Sequence, residues 1–401
     1  MDPVRNPYAP GAGQRPPELA GRDGELQSFD VLLERVARSR PERSVVLTGL
    51  RGVGKTVLLN AMRGAAVRRG WGTGKLEARP EQALRHPLAA ALHLAVRELA
   101  QPNKGEAEHV LGVVKAFAQR ESRTPGGKAP KLRDRWQPGI DVPAVSGRAD
   151  SGDIEIDLVE LFTDIAGLAG DSGHGVAIFI DEMQDLGPDD VSALCAACHE
   201  VSQLGLPLVV VGAGLPHLPA VLSAAKSYSE RLFRYARIDR LDRASADLAL
   251  RAPARDEGAD FDDDALAAMY ATTGGYPYFV QAYGKVAWDV APRSPITAAD
   301  VGVAAPEAEV ELAVGFFGSR YERATPAERE YLRAMADVAD PTGPDDAVPT
   351  AAVAESLARP PQSLSPARDG LLKKGLVYSG QRGRIAFTVP HFGSYLRQQE
   401  M

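Results

Sequence analysis

Eight consecutive residues, Gly49-Leu50-Arg51-Gly52-Val53-Gly54-Lys55-Thr56, fit the pattern G-x-x-x-x-G-K-[ST] without a gap. Glycines let a backbone turn sharply and aim successive N–H groups at phosphate oxygens. A helix starting at Lys55 adds its positive N-terminal end to the same spot, with Val57 in its first turn. In such a loop the lysine reaches β- and γ-phosphates and the Thr56 hydroxyl ligates Mg²⁺. The loop implies a bound nucleoside triphosphate.

A second element points to the same chemistry. Val176-Ala177-Ile178-Phe179-Ile180 is an apolar run that ends in Asp181-Glu182. Behind a phosphate loop, Asp181 is placed to hold Mg²⁺, usually through water, and Glu182 to orient and polarise an attacking water. An acidic pair after a strand is by itself often only a helix start. The preceding loop gives this one its meaning, and Lys55, Asp181 and Glu182 become the candidate catalytic set.

These residues need a sheet to hold them. Ser44–Thr48 is a short apolar run of the kind that forms a buried parallel strand, and a helix follows the loop to about Arg69. Residues 72–79, 176–180 and 206–211 read as further strands, separated by helices over 87–100, 154–169 and 189–204. A helix over 23–40 precedes the first strand, and residues 1–20, rich in Pro, Gly and Ala, read as an extended lead-in. Alternating strands and helices predict an α/β domain with a parallel sheet over residues 21–240. Residues 102–152 read as an insertion, helical near 109–119, with a basic stretch between Lys115 and Arg135 and a short hairpin around 140–145. A basic stretch is more often a solvated face than a nucleic-acid contact.

After about Leu241 the pattern turns helical: 244–251 ending before Pro253, then 263–272, 277–290 and 297–325. This predicts a helical unit over 241–324. A last unit over 325–401 opens with Thr325-Pro326-Ala327-Glu328, a good helix start. Helices over 348–357 and 363–374, closed by Gly375, precede two strands at 376–378 and 384–387.

The composition narrows the classes. A net charge of −7 argues against a globally basic nucleic-acid binder. No stretch of 18 apolar residues is present, so no membrane helix is expected. The N-terminus lacks an apolar secretory segment, which places the chain in a reducing cytoplasm with both cysteines as free thiols. Cys195, Cys198 and His199 spell C-x-x-C-H, the form of a c-type haem attachment, but the segment reads as a plain helix with two small residues one turn apart.

Taken together the motifs resemble those of the AAA+ ATPases related to origin-recognition proteins, archaeal ATPases and signalling STAND ATPases. Gly21-Arg22-Asp23-Gly24-Glu25 is similar to their Gly-Arg-x-x-Glu box, Ile180-Asp181-Glu182-Met183-Gln184-Asp185 to their acidic strand end, and Gly275-Tyr276-Pro277 to their G-x-P lid motif. The resemblance covers roughly residues 16–310. It implies ATP with Mg²⁺ as ligands, Leu19–Arg22 against adenine, and Pro277 packed on the base from the lid. It also implies that Arg231 or Arg234 serves as an arginine finger for a neighbouring subunit, which would make hydrolysis depend on a homo-oligomer. The chain departs from the family after Val211, where Gly212-Ala213-Gly214 offers no polar side chain to sense a γ-phosphate. The lid also lacks a sensor arginine beside Gly275, though the G-x-P branch does not need one, and these departures imply slow hydrolysis or ATP used as a switch.

Three helices and a two-stranded wing describe a winged helix-turn-helix, and Gly370–Val377 resembles one most strongly. Arg368, Lys373, Lys374, Arg382 and Arg384 are its candidate contacts to duplex DNA. The alternative is a nucleotide switch that signals to an as yet unknown protein partner without touching DNA.

Overall fold

The computed structural model describes residues 1–11, 13–100, 102–120, 141–339, 347–389 and 391–399. Five strands form one sheet: β1 (Ser44–Thr48), β2 (Gly72–Glu77), β3 (Val176–Asp181), β4 (Leu208–Gly214) and β5 (Phe233–Arg237). Their order is β2-β3-β4-β1-β5 and every pairing is parallel. The phosphate-loop strand is therefore flanked on one side by β4, next to the acidic strand β3, and on the other by β5.

Alternation within these strands builds two cores. Val45, Leu47, Phe179 and Val211 face α1 (Asp23–Ala37) and α2 (Lys55–Arg68). Val46, Ile178, Ile180 and Val210 face the other layer, α3 (Arg85–Glu98), α4 (Lys104–Gln119), α5 (Ile154–Asp171) and α6 (Pro188–Gln203), with α7 (Leu218–Ala225) beside it. Both faces of a parallel sheet must be covered, which is why the strands read as apolar runs. A short α8 (Ser229–Leu232) leads into β5.

The remaining helices are α9 (Arg243–Asp256), α10 (Asp263–Thr273), α11 (Pro277–Val290) and α12 (Ala298–Leu312). A π-helical turn, Ala313–Gly318, continues α12 directly into α13 (Ser319–Glu322). The C-terminal unit comprises α14 (Pro326–Val338), β6 (Val348–Pro349), α15 (Thr350–Ser356), α16 (Pro361–Lys373), β7 (Val377–Tyr378), β8 (Arg384–Phe387) and α17 (Phe392–Gln398). One hydrophobic cluster runs from Leu241 to Leu396, so these helices and the C-terminal unit share a core.

Several expectations change. Phe233–Arg237 is a strand that the sequence pattern hides, because an edge strand with only Phe233 buried shows no apolar run. Arg234 therefore lies on β5, opposite Val45. Helix α9 runs through Pro253 rather than stopping before it: the proline is buried, and packing of its ring outweighs the lost backbone bond. Val348-Pro349 is a strand, not a helix start, so the C-terminal sheet has three strands in the order β6-β8-β7. Residues 141–145 contain no strand, while Ile140 and most of the basic stretch lie outside the described residues. Among the described residues no helix is long and apolar enough to cross a membrane.

The N-terminal lead-in is anchored at its start. A 3-10 turn at Pro3–Arg5 is followed by Tyr8, whose ring is buried against Phe261 and Trp288 and whose hydroxyl donates to the Leu250 carbonyl at 2.5 Å. The N-terminal ammonium donates to the Ala291 carbonyl, and Trp288 Nε1 donates to the Asp2 carbonyl at 2.9 Å.

Candidate functional site

The phosphate loop connects β1 to α2 at the C-terminal edge of the sheet. Gly54 has φ 91°, a left-handed conformation that places it between loop and helix without a Cβ penalty. Gly49 is needed for a different reason: a Cβ there would meet the Ile238 carbonyl oxygen at 2.2 Å. The Gly49 N–H donates to the Gly214 carbonyl at 3.2 Å, which ties the loop to the end of β4.

Lys55 is buried, and its Nζ donates to the carbonyls of Gly49 and Leu50 at 2.9 and 2.8 Å. Burial pushes its pKa down to about 8, with Arg51 acting in the same direction and Glu182 and Asp181 opposing. A lysine so placed gains by meeting an anion.

Asp181 ends β3 and is buried; its Oδ1 accepts from the Glu182 N–H at 3.0 Å. Glu182 sits at φ 49°, ψ 41°, uncommon for a residue with a Cβ and frequent at functional sites. Its carboxylate accepts from Arg51 Nη1 at 3.1 Å and from Gln184 Nε2 at 2.6 Å. Gln184 Oε1 in turn accepts from the Leu215 N–H at 3.0 Å, just past β4. A polar side chain thus stands at the end of β4 after all, although it comes from the turn after β3. Burial and the nearby Glu182 raise the Asp185 carboxyl to about 6.

A cavity of about 430 Å³ opens over the loop, within the range of small-molecule sites. Arg51, Gly52, Val53, Gly54, Lys55, Thr56, Val57 and Glu182 line it. Leu19, Ala20, Leu241, Ala249, Pro277 and Val280 add an apolar lining. Gly49 and Leu50 lie below it, lining a separate cleft toward the C-terminal unit. Arg22 lines the cavity, but its guanidinium donates to the carbonyls of Val53 (3.2 Å) and Asp239 (2.6 Å), so it braces the loop against the segment after β5. Pro277 opens α11, and the Tyr278 N–H donates to the Gly52 carbonyl at 3.2 Å, docking that helix on the loop. Arg231 and Arg234 do not line this cavity.

Three contributors were invisible in the sequence. Ala9, Pro10, Gly11, Gly13, Gln14 and Pro16 of the N-terminal strap line the cavity, with Gly13 close to Thr56, and the Pro/Gly composition there predicted only an extended lead-in. The buried amide of Gln281 lies on the interior of α11, where a helical pattern alone suggests core. Phe316 and Arg320 enter from the π-helical turn and α13, far downstream of both motifs. The only local signal was the Gly-Phe-Phe-Gly run at 315–318, which interrupts an otherwise regular helix.

The donor set suits Mg²⁺ in one way. Asp181 is a buried carboxylate that accepts from the Glu182 N–H, and Thr56 offers a hydroxyl at the cavity. Among the described residues no cluster of three His, Cys, Asp or Glu side chains forms an all-protein cage. A hard cation here would need phosphate oxygens and water to complete its shell.

Elsewhere, Cys195 and Cys198 are free thiols buried on α6, and burial raises both pKa values, Cys195 to about 11. Thiols sealed in the core under the sheet suit packing, not haem attachment.

Residues 18–211 match the family model described as AAA ATPase domain, and residues 314–396 match a second, described as Domain of unknown function (DUF8462). No curated protein matches the chain. Among solved structures, the Walker-type ATPase PABY2304 of Pyrococcus abyssi is similar over 96% of this chain and 97% of its own, at 16% identity and a TM-score of 0.58. Cdc6p from Pyrobaculum aerophilum is also similar, at 16% identity and a TM-score of 0.44, over 99% of this chain and 97% of its own. The same is true of the Aeropyrum pernix Orc1 protein, solved in complex with DNA, at 14% identity and a TM-score of 0.45, over 96% and 94%. The chain thus carries an AAA ATPase domain over residues 18–211, on the fold of the AAA+ P-loop ATPases.

Proposed function

We propose that the protein binds Mg²⁺–ATP in the cavity over the phosphate loop and hydrolyses it slowly. One observation carries the reading: the loop residues 51–57 and Glu182 line one cavity together with the apolar side chains of Leu19, Ala20, Leu241, Ala249, Pro277 and Val280. In this reading the loop N–H groups and Lys55 hold the phosphates, Thr56 and Asp181 hold Mg²⁺, and Glu182 orients the attacking water. Bound Mg²⁺ would supply charge neutralisation at the phosphates. Leu19, Ala20 and Pro277 flank the adenine, and Arg231 or Arg234 serves a neighbouring subunit in a homo-oligomer.

We read residues 1–20, 21–240, 241–324 and 325–401 as lead-in, ATPase domain, lid and winged helix. The order helix, strand, two helices, two strands, with the sheet β6-β8-β7, supports the winged helix. Two uses of that unit remain distinct. Duplex DNA contact would rest on Lys373 and Arg382, which are exposed, because the other candidates are engaged within the chain. Lys374 pairs with Glu328 at 2.6 Å, Arg368 with Asp369 at 3.2 Å, and Arg384 donates to the Ala347 carbonyl. A nucleotide switch toward a protein partner is supported by the contact of this unit with the phosphate loop itself: the Arg51 N–H donates to the Thr388 carbonyl at 2.9 Å.

Purified protein tests all of this. Phosphate release from Mg²⁺–ATP should be measurable and should fall by about 10²-fold or more in Glu182→Gln; unchanged release removes Glu182 from the assignment. Salt-dependent DNA binding that is lost in a Lys373/Arg382→Ala variant favours the DNA reading, and no binding at low salt with ATP favours the switch.

A further inference from the structure

We propose that Arg320, supplied by the C-terminal portion of the chain, binds the terminal phosphate of the nucleotide and so lets the cavity tell a triphosphate from a diphosphate. This rests on the nucleotide reading above and deepens it.

Residues 298–322 form one continuous helical stretch interrupted by the π turn Ala313–Gly318. A π turn carries more residues per turn than an α-helix, so it re-aims the side chains downstream of it, and such turns concentrate at functional sites. Here it brings Phe316 and Arg320 into the cavity. The Phe316 ring stacks on Tyr278 at 4.5 Å, and its tip comes within 3.7 Å of where a Cβ on Gly52 would stand. Arg320 packs its guanidinium over that ring at 4.1 Å. It therefore lies over the Phe316 ring, which packs beside Gly52 of the phosphate loop and Tyr278 of α11.

The charges at that end are unevenly matched. Arg51 is neutralised by Glu182, and Lys55 is solvated by two loop carbonyls. Arg320 has one carbonyl, that of Phe316 one turn back, and no carboxylate lies within 4.0 Å of it among the described residues. Burial and the neighbouring Arg51 together pull its pKa down to about 10, against a smaller opposing pull from Glu182, which Arg51 already engages. The fold thus holds a half-buried cation beside another cation with no ion pair of its own, an unfavourable arrangement that an anion entering between them would relieve. A guanidinium presents paired N–H donors that match phosphate geometry. Arg320 lines the cavity within electrostatic reach of Arg51 and Glu182; in the reading above Glu182 orients the water that attacks the terminal phosphate, so that phosphate is the one Arg320 would meet, beside Lys55.

The consequence reaches the C-terminal unit. Arg320 lies within the second family match, and Phe317, next to Phe316 in the π turn, stacks on Phe392 and Tyr395 of α17 at 6.0 and 5.2 Å. A phosphate held by Arg320 is held by an element that is packed into the C-terminal core.

The test is calorimetric titration of the full-length protein with ATP and with ADP, Mg²⁺ present, for the wild type, Arg320→Ala and Arg320→Lys. In the wild type ATP binds more tightly than ADP. In Arg320→Ala the ATP affinity falls about tenfold or more while the ADP affinity stays within about twofold. Arg320→Lys, which keeps the charge and loses the fork, shows a smaller loss for ATP alone, and serves if Arg320→Ala does not fold. Equal loss for ATP and ADP overturns the proposal and makes Arg320 a packing residue. Unchanged binding of both also overturns it. A wild type that binds neither nucleotide overturns the nucleotide reading as well, an outcome distinct from either of those.

Discussion

Arg51 Nη1 lies 3.1 Å from Glu182 Oε1, with both side chains about a quarter exposed (27% and 23%). An arginine of the phosphate loop therefore holds the carboxylate assigned to water activation, and Gln184 holds it from the other side at 2.6 Å. Two donors on one carboxylate restrain its orientation and occupy acceptor sites that a water would otherwise use.

Arg51→Ala should accordingly raise the turnover of saturating Mg²⁺–ATP by roughly three- to tenfold, because Glu182 is released toward water. The measurement is steady-state phosphate release, with Arg51→Ala/Glu182→Gln as the control that returns activity to background. A fall in turnover in the single variant would mean that the pair positions the carboxylate rather than masking it.

How much of the site was legible in the sequence depends on sequence distance. The phosphate loop and the Asp181-Glu182 strand end were readable because each is a contiguous run whose chemistry depends on its neighbours. The parallel sheet followed from buried apolar strands. β5 was not readable, since an edge strand with only Phe233 buried has no apolar run. Arg320 was not readable either, because its placement depends on a π turn, which periodicity of 3.6 cannot reveal. Gln184 was present in the motif, but its role required knowing that the turn after β3 packs under the end of β4.

Lys55 gives the pH dependence. Its folded pKa of about 8 lies below the usual lysine value, burial being the main cause. Phosphate binding needs the protonated form, so ADP affinity should be flat below about pH 7.5 and weaken by up to about tenfold per pH unit above 8. ADP phosphates are fully ionised there, with pKa values near 6. The ligand-free protein shows the opposite sign: the unfolded chain binds more protons at Lys55 between pH 8 and its ordinary value, so this residue's destabilisation is full below 8 and is relieved as pH rises through that window. Titrating ADP against pH for wild type and Lys55→Arg checks it. The bend should vanish in Lys55→Arg, because arginine stays charged.

The buried pair Arg85–Asp157 is the third target. The Arg85 Nη2 to Asp157 Oδ2 distance is 2.8 Å, and the side chains are 3% and 0% exposed. Arg85 also donates to the Phe117 carbonyl at 3.0 Å and lies over the Phe117 ring, so the pair joins α3, α4 and α5. Asp157 accepts further bonds from the Ser151 N–H and hydroxyl, at 2.7 and 2.6 Å. Arg85→Ala leaves a buried, uncompensated carboxylate, and should cost about 3–5 kcal/mol of unfolding free energy. Chemical denaturation measures it, and a loss below about 1 kcal/mol would show that water reaches Asp157.

Tyr8 tests the N-terminal strap. Its buried ring lies edge-on to Phe261 and Trp288, and its hydroxyl donates to the Leu250 carbonyl at 2.5 Å. That anchor immediately precedes Ala9, Pro10 and Gly11, the first residues of the strap that line the cavity. Tyr8→Phe keeps the ring and removes one neutral donor, so it should cost about 1 kcal/mol and leave nucleotide affinity within about twofold. Tyr8→Ala opens a cavity under the strap and should cost about 3–5 kcal/mol. The strap would then lose its fixed end, and nucleotide affinity should fall about fivefold or more, since part of the binding energy must go to ordering it again. Measuring unfolding free energy and nucleotide affinity on both variants separates the two effects. If Tyr8→Ala loses stability but binds nucleotide like the wild type, the strap walls the cavity without contributing to affinity.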